Sequence, residues 1–185
     1  MDIFIIHGSY GNPRENWFPW LKKELEMRGH KAIIPCFPTP EGQNLGAWLK
    51  VFEPYLDSLN KETTLAVGHS LGVPFLLNLL QEHGPVKAAF FVSGFSKPLN
   101  NPWFDDLNRT FVDHNFDWQK IRSNCQDFHI FHSDNDPYVP LGHAKELASN
   151  LETELTIVHG AGHFNAKAGY KKFSLLFEKI RELYL

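Results

Sequence analysis

Apolar and polar positions switch between two rhythms along this 185-residue chain. Short apolar runs such as Ile3-Phe4-Ile5-Ile6, Thr64-Leu65-Ala66-Val67 and Leu155-Thr156-Ile157-Val158 are bounded by Gly, Asn, His or charged residues. They predict strands near 2–7, 31–35, 63–67, 86–92, 127–132 and 154–158. The stretches between them predict helices near 14–28, 44–58, 71–82, 118–122, 141–150 and 167–183. The last of these spaces Phe173, Leu176, Phe177, Ile180 and Leu183 along one helical face, and Gly29 after Met27-Arg28 marks the stop of the first. Alternation of strand and helix predicts an α/β fold with a parallel, doubly wound sheet. Neither a linker, an internal repeat nor a low-complexity tract interrupts it, so one domain is expected over 1–185.

One long interruption lies between the fourth and fifth strands. Residues 96–118 carry Pro98, Pro102, Trp103, Phe104, Phe111, Phe116 and Trp118. The segment reads as a short lid that forms an apolar pocket for an acyl or alcohol group. Packing of these aromatics onto the sheet explains them equally well, and one segment can do both.

Gly68-His69-Ser70-Leu71-Gly72 is a G-x-S-x-G motif placed between a strand run and a helical run. That context suits a nucleophilic serine on a strained strand-to-helix turn, its hydroxyl raised above the sheet. A serine hydroxyl is a weak nucleophile and needs a base, which in turn needs an orienting acid. With a serine at such an elbow, the expected chain order is Ser, then Asp or Glu, then His. Ser133-Asp134-Asn135-Asp136-Pro137 and His159-Gly160-Ala161-Gly162-His163 each follow a predicted strand, at the same sheet edge as Ser70. Backbone N–H groups must hold the oxyanion: one from Leu71, directly after the serine, the other from Ser9 or Tyr10 after the first strand.

The wording of these segments resembles the α/β-hydrolase family. It is similar in particular to the small serine hydrolases related to retinoblastoma-binding protein 9, which have many bacterial members. The likeness rests on Ile5-Ile6-His7-Gly8, Asn16-Trp17-Phe18-Pro19-Trp20-Leu21, Gly68-His69-Ser70-Leu71-Gly72, Phe91-Val92-Ser93-Gly94-Phe95, Asp134-Asn135-Asp136 with Val139-Pro140, and Gly162-His163-Phe164. It runs over nearly the whole chain. It implies a compact three-layer sandwich of about six mainly parallel strands, lacking the first antiparallel strands and the large cap of bigger relatives. It assigns Ser70, Asp136 and His163 as nucleophile, acid and base. Asp136 fits the D-x-x-V-P arrangement, with Asp134 as the alternative acid and Asp127 at the wrong end of its strand. His7 is implied to shape the oxyanion loop.

The remaining histidines read more plainly. His159 sits at a strand end, and His69 beside the nucleophile reads as packing. His30, His83, His114 and His143 read as surface or loop residues. His129 and His132 lie at odd spacing on a strand and face opposite sides, which argues against a metal pair. No dinucleotide or phosphate-loop motif is present, so no cofactor and no metal are expected. Leu76, Leu79 and Leu80 spell a partner-docking pattern but fall on a helix expected to be core. Trp17 and Trp20 suit either a site wall or a packed helix face.

Composition narrows the partners. A net charge of −3 without a long basic run points away from nucleic acid. No run approaches the roughly 20 apolar residues of a membrane span. The start lacks a basic leader, and Cys36 and Cys125 are too few for a disulfide framework, so a cytoplasmic home is expected. The expected function is carboxylesterase-type cleavage of small acyl esters through an acyl-enzyme. Amide or peptide cleavage by the same residues remains open, as does an interaction module with a vestigial site. The expected ligand is a small ester or amide, and nothing in the sequence points to a protein partner.

Overall fold

The computed structural model describes residues 1–185. Its strands β1 (Asp2–Ile6), β2 (Lys31–Ile33), β3 (Thr64–His69), β4 (Val86–Val92), β5 (Cys125–Ser133) and β6 (Leu155–Val158) form one sheet in the order β2-β1-β3-β4-β5-β6. Every pairing is parallel. The chain steps from β1 to β2 in one direction, then returns past β1 to β3 and continues the other way. That reversal opens a crevice between the carboxyl ends of β1 and β3, where open α/β sheets bind ligands.

The same reversal sorts the helices. Right-handed crossovers place a helix on one face when the chain moves one way along the sheet and on the other face when it moves back. Thus α1 (Phe18–Glu26) and the C-terminal α7 (Ser174–Tyr184) pack on Ile3, Ile5, Leu65, Val67 and Phe90. On the opposite face α2 (Leu45–Phe52), α3 (Gly72–Glu82), α4 (Pro102–Val112), α5 (Trp118–Ser123) and α6 (Leu141–Leu151) contribute to the core around Phe4, Ile6, Ala66 and Phe91. Burial of every residue of α3 from Gly72 to Leu80 explains its apolar sequence, broken only by Asn78, which bonds the Pro74 and Phe111 carbonyls, and makes Leu76, Leu79 and Leu80 core residues. No helix is long and apolar enough to cross a membrane.

Three helices differ from expectation. The first begins at Phe18 rather than near 14, with Pro19 in its first turn. Proline suits a first turn because its missing N–H would have no intrahelical partner there. The second ends as α-helix at Phe52 and continues as a 3-10 turn over Glu53–Ser58 with Pro54 in its first turn. The last begins at Ser174, because 166–168 form a separate 3-10 turn closed by Gly169 at φ +90°.

Within 96–118 the structure adds α4, which the sequence reading missed. Asn101 caps it through Oδ1, which accepts the Phe104 N–H, and Pro102 opens its first turn. Asn108, Phe111 and Val112 form its buried stripe. The segment's aromatics divide: Phe111 and Phe116 belong to the core, whereas Phe104 lines a cavity that Ser70 also lines.

The elbow after β3 depends on a close crossing. A Cβ at Gly72 would sit 2.4 Å from the Ile6 carbonyl oxygen, a backbone atom of β1 that cannot swing aside. Gly72→Ala should therefore lower the unfolding free energy by about 3 kcal/mol through overpacking. Gly142, in the first turn of α6, meets nothing within 4 Å, and Gly142→Ala should add about 0.5 kcal/mol of stability. Urea unfolding of the two variants checks this; indistinguishable midpoints would mean that the crossing is not tight.

Candidate active site

Strand register brings four residues into one row at the carboxyl edge of the sheet, three in loops and His132 near the end of β5. Ile6 pairs with Gly68, His69 with Val92, and Val92 with Phe131. Two residues on in the first pair and one in the others, Gly8, Ser70, Ser93 and His132 fall side by side. Ser70 has φ +54° and Ser93 φ +50°, left-handed backbone that a side chain adopts only at a cost of about 1–3 kcal/mol. Each is held there by a bond across the sheet, Ser70 N–H to Val92 O (2.9 Å) and Ser93 N–H to Phe131 O (3.0 Å). Gly8 lies so near the serine that a Cβ would stand 2.8 Å from Ser70 Cβ.

Asp136 is brought to His163. Its Oδ2 lies 2.8 Å from His163 Nδ1 and accepts the Ser93 hydroxyl at 2.7 Å; its Oδ1 accepts the Tyr138 and Val139 amides at 2.9 and 3.1 Å. Burial alone would raise this carboxyl. The hydrogen bond and charge of His163, with the two amides, outweigh burial and hold it below the usual carboxylate range. Asp134 goes elsewhere: it takes the His159 ring at 2.6 Å and the Gly160 amide at 2.9 Å on the surface. The backbone bond from Gly160 and the His159 contact lower its carboxyl.

The β5 and β6 loops are laced together beyond this pair. Ser133 Oγ accepts the Ala161 amide at 2.9 Å, and Asn135 Oδ1 accepts the Gly162 amide at 2.8 Å. Tyr138 meets the His163 ring edge-on, with centroids 5.0 Å apart. Ser70, His163 and Tyr138 open onto one cavity of about 410 Å³. Phe95, Leu99, Phe104 and Val139 form its apolar lining, and Glu15, Asn16, Asn165 and Lys167 supply polar groups that sequence reasoning did not single out.

The expected oxyanion donors separate cleanly. The Leu71 and Ser9 amides have no partner within the protein. The Tyr10 amide donates to Thr39 Oγ1 at 2.7 Å and is occupied. His7 supports this turn: Nδ1–H donates to Gly8 O at 2.9 Å and Nε2 accepts the Phe37 amide at 3.1 Å, which fixes a neutral tautomer. Burial lowers its pKa in agreement.

His69, expected to pack, and Trp17, read as either a site wall or a packed face, both hold the His163 loop. His69 is buried and bonds the His163 carbonyl through Nε2 at 2.8 Å; Trp17 Nε1–H donates to Phe164 O at 2.9 Å. Trp20 packs on Phe177 and lines no site. His143, expected at the surface, is buried on α6, where its first-turn position faces the sheet.

His69 generates a pH dependence. Burial, reinforced by the neighbouring His163, lowers its pKa to about 3. The unfolded chain takes up a proton near pH 6.5 that the folded chain refuses, so stability from this group is full above that pH and declines as pH falls. The loss between pH 6.5 and 5 should be about 2 kcal/mol. His69→Gln, which keeps a donor for the His163 carbonyl, should remove this share of the acid sensitivity in denaturant unfolding. Parallel pH profiles for the two proteins would assign the effect to other groups.

Comparison with known proteins agrees with this geometry. A family model described as serine hydrolase matches residues 3–182. The Bacillus subtilis protein YdeN is 34% identical over 182 residues, covering 96% of this chain and 93% of its own. Its crystal structure superposes with a TM-score of 0.91 over 98% of this chain and 97% of the other, at 32% identity. The rat serine hydrolase RBBP9 is 28% identical over 86% of this chain and 85% of its own. Est1E from Butyrivibrio proteoclasticus shares the fold at a TM-score of 0.70 and 17% identity, over 98% of this chain and 85% of that one. With its α/β-hydrolase sheet and a family match along nearly its full length, this chain belongs to the serine hydrolase family.

Proposed function

We propose that the chain is a carboxylesterase-type enzyme that cleaves small acyl esters with Ser70, His163 and Asp136. One observation carries this reading: the buried Asp136 carboxylate receives His163 Nδ1 at 2.8 Å, while Ser70 holds its left-handed turn on the same cavity. The reading places all of this in one domain, with 96–118 as a short lid.

Ser70 Oγ attacks the ester carbonyl as His163 Nε2 takes its proton, and the carbonyl electron pair moves onto oxygen. The Leu71 and Ser9 amides receive that negative charge, a service Tyr10 cannot give while bonded to Thr39. Collapse of the intermediate expels the alcohol, which takes the proton from His163 and leaves Ser70 acylated. Water then repeats the sequence with His163 as base, releasing the acid and restoring Ser70. Asp136 holds the imidazole with Nε2 toward the serine and stabilises the imidazolium. Ser70 Oγ and His163 Nε2 share no direct hydrogen bond in the free protein, a contact that tightens when substrate binds. An ester demands least of this arrangement, because an alkoxide leaves with less proton delivery than an amine.

A fluorophosphonate probe should label the wild type strongly and Ser70→Ala not at all. Asp136→Asn should lower kcat on p-nitrophenyl esters by about 10⁴-fold, since the imidazole then favours the wrong tautomer. A folded wild type that takes no label would overturn the proposal.

A further inference from the structure

The cavity wall above Ser9 contains a directed chain of hydrogen bonds. The Tyr10 amide donates to Thr39 Oγ1, and the Thr39 hydroxyl donates to Gln43 Oε1. Gln43 Nε2 donates to Asn108 Oδ1 at 2.8 Å and to the Leu107 carbonyl at 3.1 Å. The Ser9 hydroxyl donates to the same Asn108 Oδ1, also at 2.8 Å. Each link has one workable orientation. Turning the Asn108 amide over would set its NH₂ against the NH₂ of Gln43, donor against donor.

The orientation of Asn108 is thus fixed, and it leaves Nδ2 out of the chain. Asn108 is only 3% exposed, yet Nδ2 finds no partner in the protein and is not sealed off. The residue lines the cavity, and this amide nitrogen is its one side-chain polar atom left without a protein partner. Around it the α4 side of the cavity is apolar, from Phe95, Leu99 and Phe104. A purely alkyl group lodged here would strip water from two N–H bonds and return nothing, which is the costly case for a buried polar group.

We propose that Asn108 is a specificity-determining residue whose Nδ2 donates to an acceptor oxygen on the acyl part of the substrate, close to the scissile carbonyl. This rests on Ser70 being the nucleophile and Ser9 an oxyanion donor. The preferred substrates are then esters whose acyl chain bears an ether, hydroxyl or carbonyl oxygen, ahead of plain alkanoates of the same length. A site built to hydrogen-bond a substrate group discriminates against the analogue that lacks it more sharply than an apolar pocket discriminates by size.

The test uses matched p-nitrophenyl esters, methoxyacetate against butanoate and 3-methoxypropanoate against pentanoate, in which oxygen replaces one methylene. The readout is the ratio of kcat/KM for the oxygen-bearing ester to that for its carbon analogue. Comparing one ratio between enzymes cancels the intrinsic reactivity of the esters. Asn108→Asp keeps an oxygen for Ser9 and Gln43 but replaces the donor, and its ratio should fall about 10-fold for at least one pair. Asn108→Leu should fall alike, and the aspartate variant alone suffices should the leucine variant not fold. Ratios unchanged in Asn108→Asp, with Ser70 still labelled by fluorophosphonate, would overturn this inference and leave the hydrolase reading standing. A wild type that takes no label removes both.

Discussion

The site depends on how closely α3 passes β1. With no side chain at Gly72, the start of the helix lies directly against the Ile6 carbonyl, and the chain must reverse within the single residue Ser70. The turn puts Ser70 into left-handed backbone and lifts its side chain beyond the sheet. It also directs the Leu71 amide away from every protein acceptor. Because β1 and β3 are neighbours, the same crossing brings Gly8 against Ser70 and places the Ser9 amide beside it. The strained serine and the two free amides are thus products of one packing event. A fold that kept the sheet but loosened this crossing would lose both together.

The second demand is a buried carboxylate. Taking Asp136 from water costs several kcal/mol unless its lone pairs are met, and here four donors meet them: His163, the Ser93 hydroxyl and two backbone amides. None of these can move without exposing the charge to an apolar surround. The lacing of Ser133 and Asn135 to the amides of 161 and 162 then makes the β5 and β6 loops a single unit. His69 and Trp17 fasten that unit to the elbow and to α1 from below. The geometry of the acid and the imidazole is held by neutral hydrogen bonds on nearly every side, so it does not rely on screened surface charge.

How much of this could be read from residues alone follows the range of the interactions. The elbow is a local event, and its glycines, the strand before it and the helix after it all sit within one short window. Sheet topology brings the loops after β5 and β6 together, and the family resemblance pointed to Asp136 within the first of them; the structure puts Asp136 against His163 and Asp134 against His159. Helix α4 was missed although Asn101-Pro102 is a sound start signal, because the aromatic and proline content of 96–118 masked its helical stripe. The clasp of Thr39, Gln43 and Asn108 had no local signature at all. Its members lie in two distant segments, the loop before α2 and α4, and each alone is an ordinary polar loop or helix residue. The same holds for His69, whose bond to the His163 carbonyl joins residues 94 apart in the chain, and for His143, whose burial depends on where α6 docks.

These two ranges divide the molecule by task. What the α/β sheet imposes is the chemistry: a strained serine, a satisfied carboxylate and free amides at the ends of adjacent strands. What α4 imposes is the shape and polarity of the space above them. That helix is fixed partly by burial of Phe111 and Val112 and partly by the directed bonds of Asn108 to the turn that carries Ser9. Burial would tolerate a slide along the sheet, because apolar contact has little direction. The hydrogen bonds do not, since each weakens steeply away from its preferred distance and angle. The polar clasp between α4 and the turn that carries Ser9 therefore sets the shape and polarity of the cavity. Divergence among chains that share the sheet should concentrate there, where a side chain can change without disturbing the crossing of α3 and β1.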